Sequence, residues 1–237
     1  MTNDVQILNN GYPMPAVGLG VYKIADEQME EVVRTALDAG YRAFDTAYFY
    51  GNEKALGSAL KHSNVERDEL FITSKLWNDY QGYDQTIEYF NKSLDNLGLD
   101  YLDLFLIHWP CENDQLYIES YKALEHLYEE GKIKAIGVCN FKIHHLEKLM
   151  KETKITPQVN QIELHPYFNQ QDVQDFCDEH DIKVTAWMPL MRNKGLLDDP
   201  VITDIAHRYD KTPAQIVLRW HLAHNRIIIP KSQTPKR

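Results

Sequence analysis

The chain has 237 residues, of which 43% are hydrophobic and 25% charged, a composition typical of a soluble globular protein and unlike that of a disordered or fibrous one. Lys and Arg together number 25 against 35 for Asp and Glu, so the net charge of −10 disfavours a nucleic-acid or anionic-membrane surface, and we expect neither partner. Because the sequence has no signal-peptide pattern and no membrane-spanning apolar run, and because Cys111, Cys139 and Cys177 form no C-x-x-C pair, we expect a cytoplasmic protein with reduced thiols.

The first predicted element is a β-hairpin. Residues 5–8 and 14–17 are short apolar runs, and Asn10 and Gly11 lie between them. Asn and Gly both tolerate positive φ, so this pair is a strong signal for a tight turn between two strands. We therefore predict an N-terminal β-hairpin ahead of the rest of the fold.

A regular alternation of strands and helices follows the hairpin. Apolar, β-rich runs predict eight strands, at residues 18–22, 43–47, 70–76, 102–108, 133–139, 158–163, 183–189 and 226–230. The segments between them carry helical periods, as in the stripe formed by Met29, Val32, Val33, Ala36 and Leu37. Three helices are predicted to end at glycines that adopt the left-handed conformation, Gly40, Gly98 and Gly131. Another helix is predicted to begin at a cap formed by Thr212, Pro213 and Gln215.

The spacing of the strands favours a closed barrel. Starts at residues 18 and 226 enclose seven repeats, (226 − 18)/7, or about 30 residues each. Residues 104–107 are apolar on successive positions, as expected for a parallel strand buried on both faces. We predict an α/β fold in a single domain over residues 1–237, a (β/α)8 TIM-type barrel with an N-terminal β-hairpin.

Only residues 231–237 follow the eighth predicted strand, so the last helix of the barrel is expected to be absent from this chain. That helix would cover apolar surface worth several kcal/mol of stability. We therefore expect the polypeptide to be part of a longer protein, or another chain to fill the gap. A monomer is expected only if the helix is present.

Chemistry in a parallel barrel lies where the strands end, and four reactive residue types meet there. Asp45 and Lys75 end the second and third strands, His108 ends the fourth, and Tyr50 follows the second in its loop. A lysine kept charged by an aspartate is expected to lower the pKa of a nearby tyrosine from about 10 toward working pH, which favours proton donation. The histidine is expected to hold the substrate oxygen by a hydrogen bond.

These positions lie in runs that resemble signatures of the aldo-keto reductase family. The runs are Phe-Asp-Thr-Ala at 44–47, Gly-Asn-Glu at 51–53, Leu-Ile-His-Trp-Pro at 106–110 and Gly-Val-Cys-Asn-Phe at 137–141. The chain is similar to short-loop, prokaryotic-type members, and we expect it to lack the C-terminal helix and tail that cover the barrel in the family. The resemblance implies a barrel that uses NADPH without a Rossmann domain, and a catalytic tetrad of Asp45, Tyr50, Lys75 and His108.

The resemblance also implies cofactor contacts. Asn140 and Gln161 match residues that hydrogen-bond the nicotinamide carboxamide, and Trp187 matches the aromatic residue that stacks on the nicotinamide ring. Cys139 and Met188 stand where the family often has Ser. NADPH is expected over NADH because a lysine, a serine and an arginine match the segment that holds the 2′-phosphate. The implied cofactor residues are Val21, Tyr22, Asn140, Gln161, Trp187, Leu190, Lys231, Ser232 and Arg237.

The substrate is expected to be a small aldehyde, a dicarbonyl or a sugar-derived ketone, because the loops after the strands are short. The residues expected to line its pocket are Tyr22, Phe49, Trp77 and Trp109. Two other functions remain open, a non-catalytic NADPH-sensing subunit of the same fold and a Schiff-base lyase that uses Lys75. No spacing of His, Cys, Asp or Glu predicts a metal site.

Overall fold

The computed structural model describes residues 4–234, and it begins with the predicted hairpin. Strands β1 (Val5–Ile7) and β2 (Pro13–Pro15) pair antiparallel, and Gly11 in the turn has a φ of 83°. Leu8 and Met14 are buried against the residues that fill the inside of the barrel. The hairpin therefore closes the N-terminal end of the barrel.

Eight parallel strands form the barrel, each inside the interval predicted for it. They run in the sheet order β10-β9-β8-β7-β6-β5-β4-β3. The strands are β3 (Leu19–Gly20), β4 (Ala43–Asp45), β5 (Phe71–Leu76), β6 (Leu102–Ile107), β7 (Ile133–Cys139), β8 (Val159–Glu163), β9 (Lys183–Trp187) and β10 (Ile227–Ile228).

The sheet closes between its first and last strands. Val17 forms a parallel bridge with Ile228, and the Gly18 N–H donates to the Ile228 carbonyl at 2.8 Å. The Gly20 N–H donates to the Pro230 carbonyl at 3.0 Å, and a side chain at Gly20 would lie 3.0 Å from the Ile229 carbonyl oxygen. These bonds make the predicted (β/α)8 barrel a closed one.

Helices cover the outside of the barrel. They are α1 (Asp26–Asp38), α2 (Glu53–Lys61), α3 (Tyr83–Leu97), α4 (Asp114–Glu129), α5 (Ile143–Glu152), α6 (Gln171–Glu179), α7 (Pro200–Tyr209) and α8 (Pro213–Ala223). The predicted stripe of α1 is buried, and α3 ends at Gly98 in the left-handed conformation. The cap of α8 is also confirmed, because Thr212 and Gln215 each accept a hydrogen bond from the other's backbone N–H.

After β10, residues 229–234 of the described chain form neither helix nor strand. None of the helices within residues 4–234 is both long and apolar enough to cross a lipid bilayer. The same residues contain no group of three or more His, Cys, Asp or Glu side chains arranged to hold a metal ion. The cysteines at 111, 139 and 177 are free thiols.

Candidate active site

A cavity of about 610 Å³ opens at the C-terminal ends of the strands, and most of the predicted site residues line it. Lys75 is fully buried behind the cavity wall. The predicted residues that line the cavity are Tyr22, Asp45, Phe49, Tyr50, Trp77, His108, Trp109, Asn140, Gln161, Trp187, Leu190 and Lys231.

Asp45 and Lys75 form a buried ion pair beneath the cavity. They lie on the neighbouring strands β4 and β5, and the Lys75 Nζ donates to Asp45 Oδ1 and, at 2.8 Å, to the Thr46 carbonyl. Burial alone would lower the pKa of Lys75, but the adjacent Asp45 carboxylate raises it above its ordinary value. Lys75 is therefore a fixed cation.

Tyr50 ends a short 3-10 turn, Tyr48–Tyr50, and Gly51 follows it with a φ of 72°. Its ring centroid lies 5.2 Å from the Lys75 Nζ. Burial raises the pKa of Tyr50 to about 12, although Lys75 acts in the opposite direction. A lowered pKa was predicted from the sequence, and this was wrong because desolvation of the phenol outweighs the effect of the lysine. Tyr50 is therefore protonated at neutral pH.

His108 follows β6 and faces Tyr50, with ring centroids 5.6 Å apart at 74°. Burial, together with the Lys75 charge, lowers the pKa of His108 to about 2, so its imidazole is neutral at pH 7. Its Nδ1 is buried without a hydrogen-bond partner in residues 4–234. A neutral imidazole has one N–H to donate, which suits the predicted contact with a carbonyl oxygen.

The loop that carries Tyr50 is held by polar residues whose roles the sequence analysis missed. Asn52 accepts from the Thr46 hydroxyl at 2.9 Å and donates to the Val21 carbonyl at 2.9 Å. Glu53 is 2% exposed and accepts from Ser74 Oγ at 2.7 Å and from the Asn96 side-chain amide, on α3, at 3.0 Å. The Gly-Asn-Glu run was the available signal, and in the structure it fixes the position of Tyr50 relative to β5.

Asn140 and Gln161 lie beside one another in the cavity, as predicted, and both already have protein partners. The Trp187 indole N–H donates to Asn140 Oδ1 at 2.8 Å, and Asn140 has a φ of 64°. Gln161 Nε2 donates to Asp45 Oδ2 at 2.8 Å. Cys139, at the end of β7, is buried between the two amides, and burial raises the pKa of its thiol.

The structure separates the remaining predicted cofactor residues. Val21, predicted to contact the cofactor, does not line the cavity: it is 0% exposed, and its side chain packs in the outer core. Ser232 lies outside the main cavity and lines a separate one of about 80 Å³ beside α1, because the chain has by then left the barrel mouth. Arg237 lies outside the described residues.

Aromatic side chains form the rim of the cavity. The rings of Phe49 and Trp77 stack at 3.9 Å and 18°, and Phe49 is 51% exposed. Trp109 is 41% exposed and lies edge-on to Trp187 at 6.5 Å. The Tyr22 ring lies 4.8 Å from that of Tyr50. The four residues predicted for the substrate pocket therefore share one cavity.

Two cations at the cavity were not predicted. Lys23 and Arg192 line it, and their charged groups lie 5.4 and 5.8 Å from the centroid of the Tyr22 ring. Both residues have positive φ, 57° and 48°. Their loops leave no periodic signal in the sequence, so neither placement could be read from it.

The family profile described as Aldo/keto reductase family matches residues 16–237. The chain is 50% identical to a glyoxal reductase of Bacillus subtilis (strain 168) over 230 residues, which cover 97% of this chain and 82% of that protein. It is 48% identical to the methylglyoxal reductase DkgA of Escherichia coli O157:H7 over 231 residues, which cover 97% of this chain and 83% of that protein.

Solved structures are also similar to this chain. An aldo/keto reductase from Brucella melitensis superposes with a TM-score of 0.96 at 47% identity, covering 100% of this chain and 91% of that one. A Gox0644 mutant in complex with NADPH superposes with a TM-score of 0.95 at 43% identity, covering 100% of this chain and 86% of that one.

Proposed function

The chain belongs to the aldo/keto reductase family, and from that premise we propose that it reduces the carbonyl group of a small dicarbonyl or aldehyde, with Tyr50 as the proton donor. It is an enzyme that uses NADPH for carbonyl reduction, as members of this family do. The observation that carries the proposal is that a protonated tyrosine, a neutral histidine and a buried lysine cation meet at one cavity.

The residues around the cavity suit a nicotinamide dinucleotide phosphate. Asn140 and Gln161 supply amide donors and acceptors for a carboxamide, and Trp187 supplies a flat aromatic face. Lys23, Arg192 and Lys231 are cations that line the same cavity, and their charges suit the phosphate groups of the cofactor. When bound, NADPH supplies the hydride that the carbonyl carbon receives.

Tyr50 is suited to protonate the carbonyl oxygen as that oxygen gains negative charge. With a pKa of about 12, its hydroxyl carries a proton at neutral pH. Lys75, 5.2 Å from the ring centroid, stabilises the phenolate that remains after transfer. Asp45 keeps Lys75 charged and in place, so the lysine acts on the tyrosine through its charge.

His108 is suited to orient the substrate. Because its imidazole is neutral, it donates an N–H to the carbonyl oxygen without competing with Tyr50 as an acid. Its ring packs edge-on against Tyr50 and Trp77, with centroids 5.6 and 5.2 Å away, which limits its rotation. The carbonyl oxygen would then lie between two donors.

Two observations support a small substrate. Phe49 and Trp109 form a partly exposed aromatic rim rather than a closed tunnel. Relatives that share about half of their residues with this chain are named glyoxal reductase and methylglyoxal reductase. A sugar-derived ketone would need more polar groups at the rim, so we rank it below a dicarbonyl.

The geometry disfavours a Schiff-base lyase. A lysine nucleophile must be neutral, whereas Asp45 raises the pKa of Lys75 and the Lys75 Nζ is held by Asp45 and the Thr46 carbonyl. A non-catalytic NADPH-sensing subunit would keep the cofactor residues without needing the Tyr50, His108 and Lys75 arrangement.

The test is NADPH oxidation with methylglyoxal, glyoxal and a ketose, measured for the wild type and for Tyr50→Phe. We expect turnover on the dicarbonyls and a loss of about 100-fold or more in kcat for the variant, because general acid catalysis contributes that much. Tryptophan fluorescence should give nearly equal NADPH dissociation constants for the two proteins. Undiminished turnover in Tyr50→Phe contradicts its assignment, and NADPH binding without turnover on any carbonyl favours the sensing subunit.

A further inference from the structure

We infer that Gln161 is a positioning residue for the Asp45–Lys75 ion pair, and that one amide therefore links cofactor recognition to the proton-donating residues. This rests on the function proposed above. A contact with the nicotinamide carboxamide is what the family resemblance implies for Gln161, whereas its bond to Asp45 is a feature of the structure.

The bond between Gln161 and Asp45 crosses the inside of the barrel. Gln161 is on β8 and Asp45 on β4, which lie opposite each other in the closed sheet, four strands apart in either direction. The two residues are 2% and 4% exposed, and Gln161 Nε2 donates to Asp45 Oδ2 at 2.8 Å. A bond to a buried carboxylate is charge-assisted and stronger than one between neutral groups.

Each oxygen of Asp45 has a different partner. Oδ1 accepts from Lys75 and Oδ2 accepts from Gln161, so the carboxylate is held from both sides of the barrel. Without the Gln161 N–H, Oδ2 loses a donor in a place with little water, and the carboxylate is free to turn about its Cβ–Cγ bond. The position of the Lys75 charge next to Tyr50 therefore depends on Gln161.

The Gln161 side-chain amide also has hydrogen-bonding groups that remain available to the cofactor. A glutamine has two N–H groups and a carbonyl oxygen, and one N–H is used by Asp45. In the described chain the carbonyl oxygen accepts a weak bond from Cys139 Sγ at 3.8 Å. One N–H and the oxygen thus remain for a carboxamide, so a bound carboxamide fixes the rotation of the amide that holds Asp45.

Asn140 is the matched control. It lines the same cavity and is expected to contact the same carboxamide, but its amide bonds to Trp187, the His108 carbonyl and Cys139 rather than to Asp45. Because its φ is 64°, glycine is the replacement that the backbone accepts without strain.

The experiment compares Gln161→Met, Asn140→Gly, Asp45→Asn and the Asp45→Asn/Gln161→Met double variant. NADPH dissociation constants come from tryptophan fluorescence, and the rate of a single turnover with methylglyoxal is measured by stopped flow at saturating NADPH. Gln161→Asn, which keeps the amide but is one methylene too short to reach Asp45, replaces the methionine variant if circular dichroism shows that the latter is unfolded.

We expect Gln161→Met and Asn140→Gly each to weaken NADPH binding by about tenfold, the equivalent of one lost contact. At saturating NADPH, Gln161→Met should slow the single turnover by about tenfold or more, because small misplacements of catalytic groups are costly, and it should slow the turnover more than Asn140→Gly does. In the Asp45→Asn background the Gln161 substitution should change the rate by less than about threefold, because residues that act together are not additive.

The inference is overturned if Gln161→Met at saturating NADPH is no slower than Asn140→Gly, or if its effect on the rate is undiminished in the Asp45→Asn background. Tyr50→Phe separates this from a failure of the proposed function. If that variant is inactive while Gln161→Met changes affinity alone, the positioning role is wrong and the proposed function stands. If Tyr50→Phe turns over normally, the proposed role of Tyr50 as the proton donor is wrong.

Discussion

Two buried aspartates, one near each end of the barrel, differ in what surrounds them. Asp103 lies near the N-terminal end of β6 and is 1% exposed. Its Oδ1 accepts from the Tyr12 hydroxyl at 2.7 Å, and its Oδ2 accepts from Arg67 at 2.7 Å and from the Ile72 N–H at 2.8 Å. These donors join the hairpin, the loop before β5 and the strands around one carboxylate.

Asp45, at the C-terminal end, has similar partners but faces a cavity. Its carboxylate also binds a cation and a neutral donor, and the difference lies in the tyrosine. The Tyr12 hydroxyl donates a hydrogen bond to Asp103, whereas Tyr50 lines the cavity beside the Lys75 cation. The ion pair at Asp103 is therefore structural, because the neighbouring tyrosine hydroxyl is hydrogen-bonded within the protein. The ion pair at Asp45 is suited to catalysis, because the neighbouring tyrosine lines a cavity that a substrate can enter.

Replacing Lys75 or Arg67, the cation that binds each aspartate, gives the largest expected difference in activity between the two ends of the barrel. Lys75→Met leaves Asp45 buried without its counter-ion, so we expect a loss of about 3 to 5 kcal/mol in stability and of about 100-fold or more in kcat. Arg67→Met, whose side chain is 24% exposed, should keep kcat unchanged because it lies at the other end. Urea unfolding and NADPH oxidation measure both effects. An inactive Arg67→Met would remove the distinction between the two ends.

The two tyrosines should show opposite effects. Tyr12→Phe takes a donor from a buried carboxylate, and we expect the free energy of unfolding to fall by about 1 to 3 kcal/mol with kcat preserved. Tyr50→Phe, which loses kcat, should unfold within about 1 kcal/mol of the wild type, because Asp45 does not depend on its hydroxyl. Urea denaturation of the two variants side by side tests this. A Tyr50→Phe protein destabilised as much as Tyr12→Phe would mean that both tyrosines are structural.

A histidine at the cavity end makes stability depend on pH. Burial lowers the pKa of His108 from 6.5 to about 2, so the unfolded chain binds the extra proton below pH 6.5 and the folded chain does not until about pH 2. As the pH falls from 6 to 4, we expect His108 to lower the free energy of unfolding by about 1.4 kcal/mol for each pH unit. His108→Gln should remove that part of the slope and leave stability near pH 7.5 little changed. An identical slope in the variant would show that His108 is protonated in the folded state.

The smallest expected effect concerns charge at the cavity mouth. Lys231→Met should weaken NADPH binding by about tenfold at low ionic strength and leave NADH binding nearly unchanged, since the difference between the two cofactors is a phosphate dianion. Lys134→Met is the control, because Lys134 is the second residue of β7, at the opposite end of the barrel, where its Nζ lies 4.9 Å from the Tyr101 ring centroid. Equal losses for both cofactors would contradict a phosphate contact at Lys231.

The sequence predicted the barrel because its signals are local. Glycines such as Gly98 and the cap at Thr212 mark helix ends, and each apolar run gave a strand. The convergence of Asp45, Lys75 and His108 followed from strand order alone, because parallel strands end on one face.

What the sequence did not predict depends on three-dimensional packing. The pKa of Tyr50 is set by burial, which no spacing reveals. The bond between Gln161 and Asp45 joins residues 116 positions apart. The cavity positions of Lys23 and Arg192 depend on loop residues with positive φ, and the burial of Val21 depends on side chains of the outer core that are distant in sequence.

The seam where the barrel closes joins residues from the two extremes of the described chain. Val17 and Ile228 are bridged there, and the cavity has Gly20 on one side of the seam and Lys231 on the other. Contacts this distant in sequence close the largest loop in the fold, at a high cost in chain entropy. A dinucleotide bound across the seam would connect the two ends of that loop, so we expect it to slow amide hydrogen exchange at Gly18 and Ile228 more than at the β6–β7 ladder opposite. We therefore expect cofactor binding to stabilise the closed ring of strands.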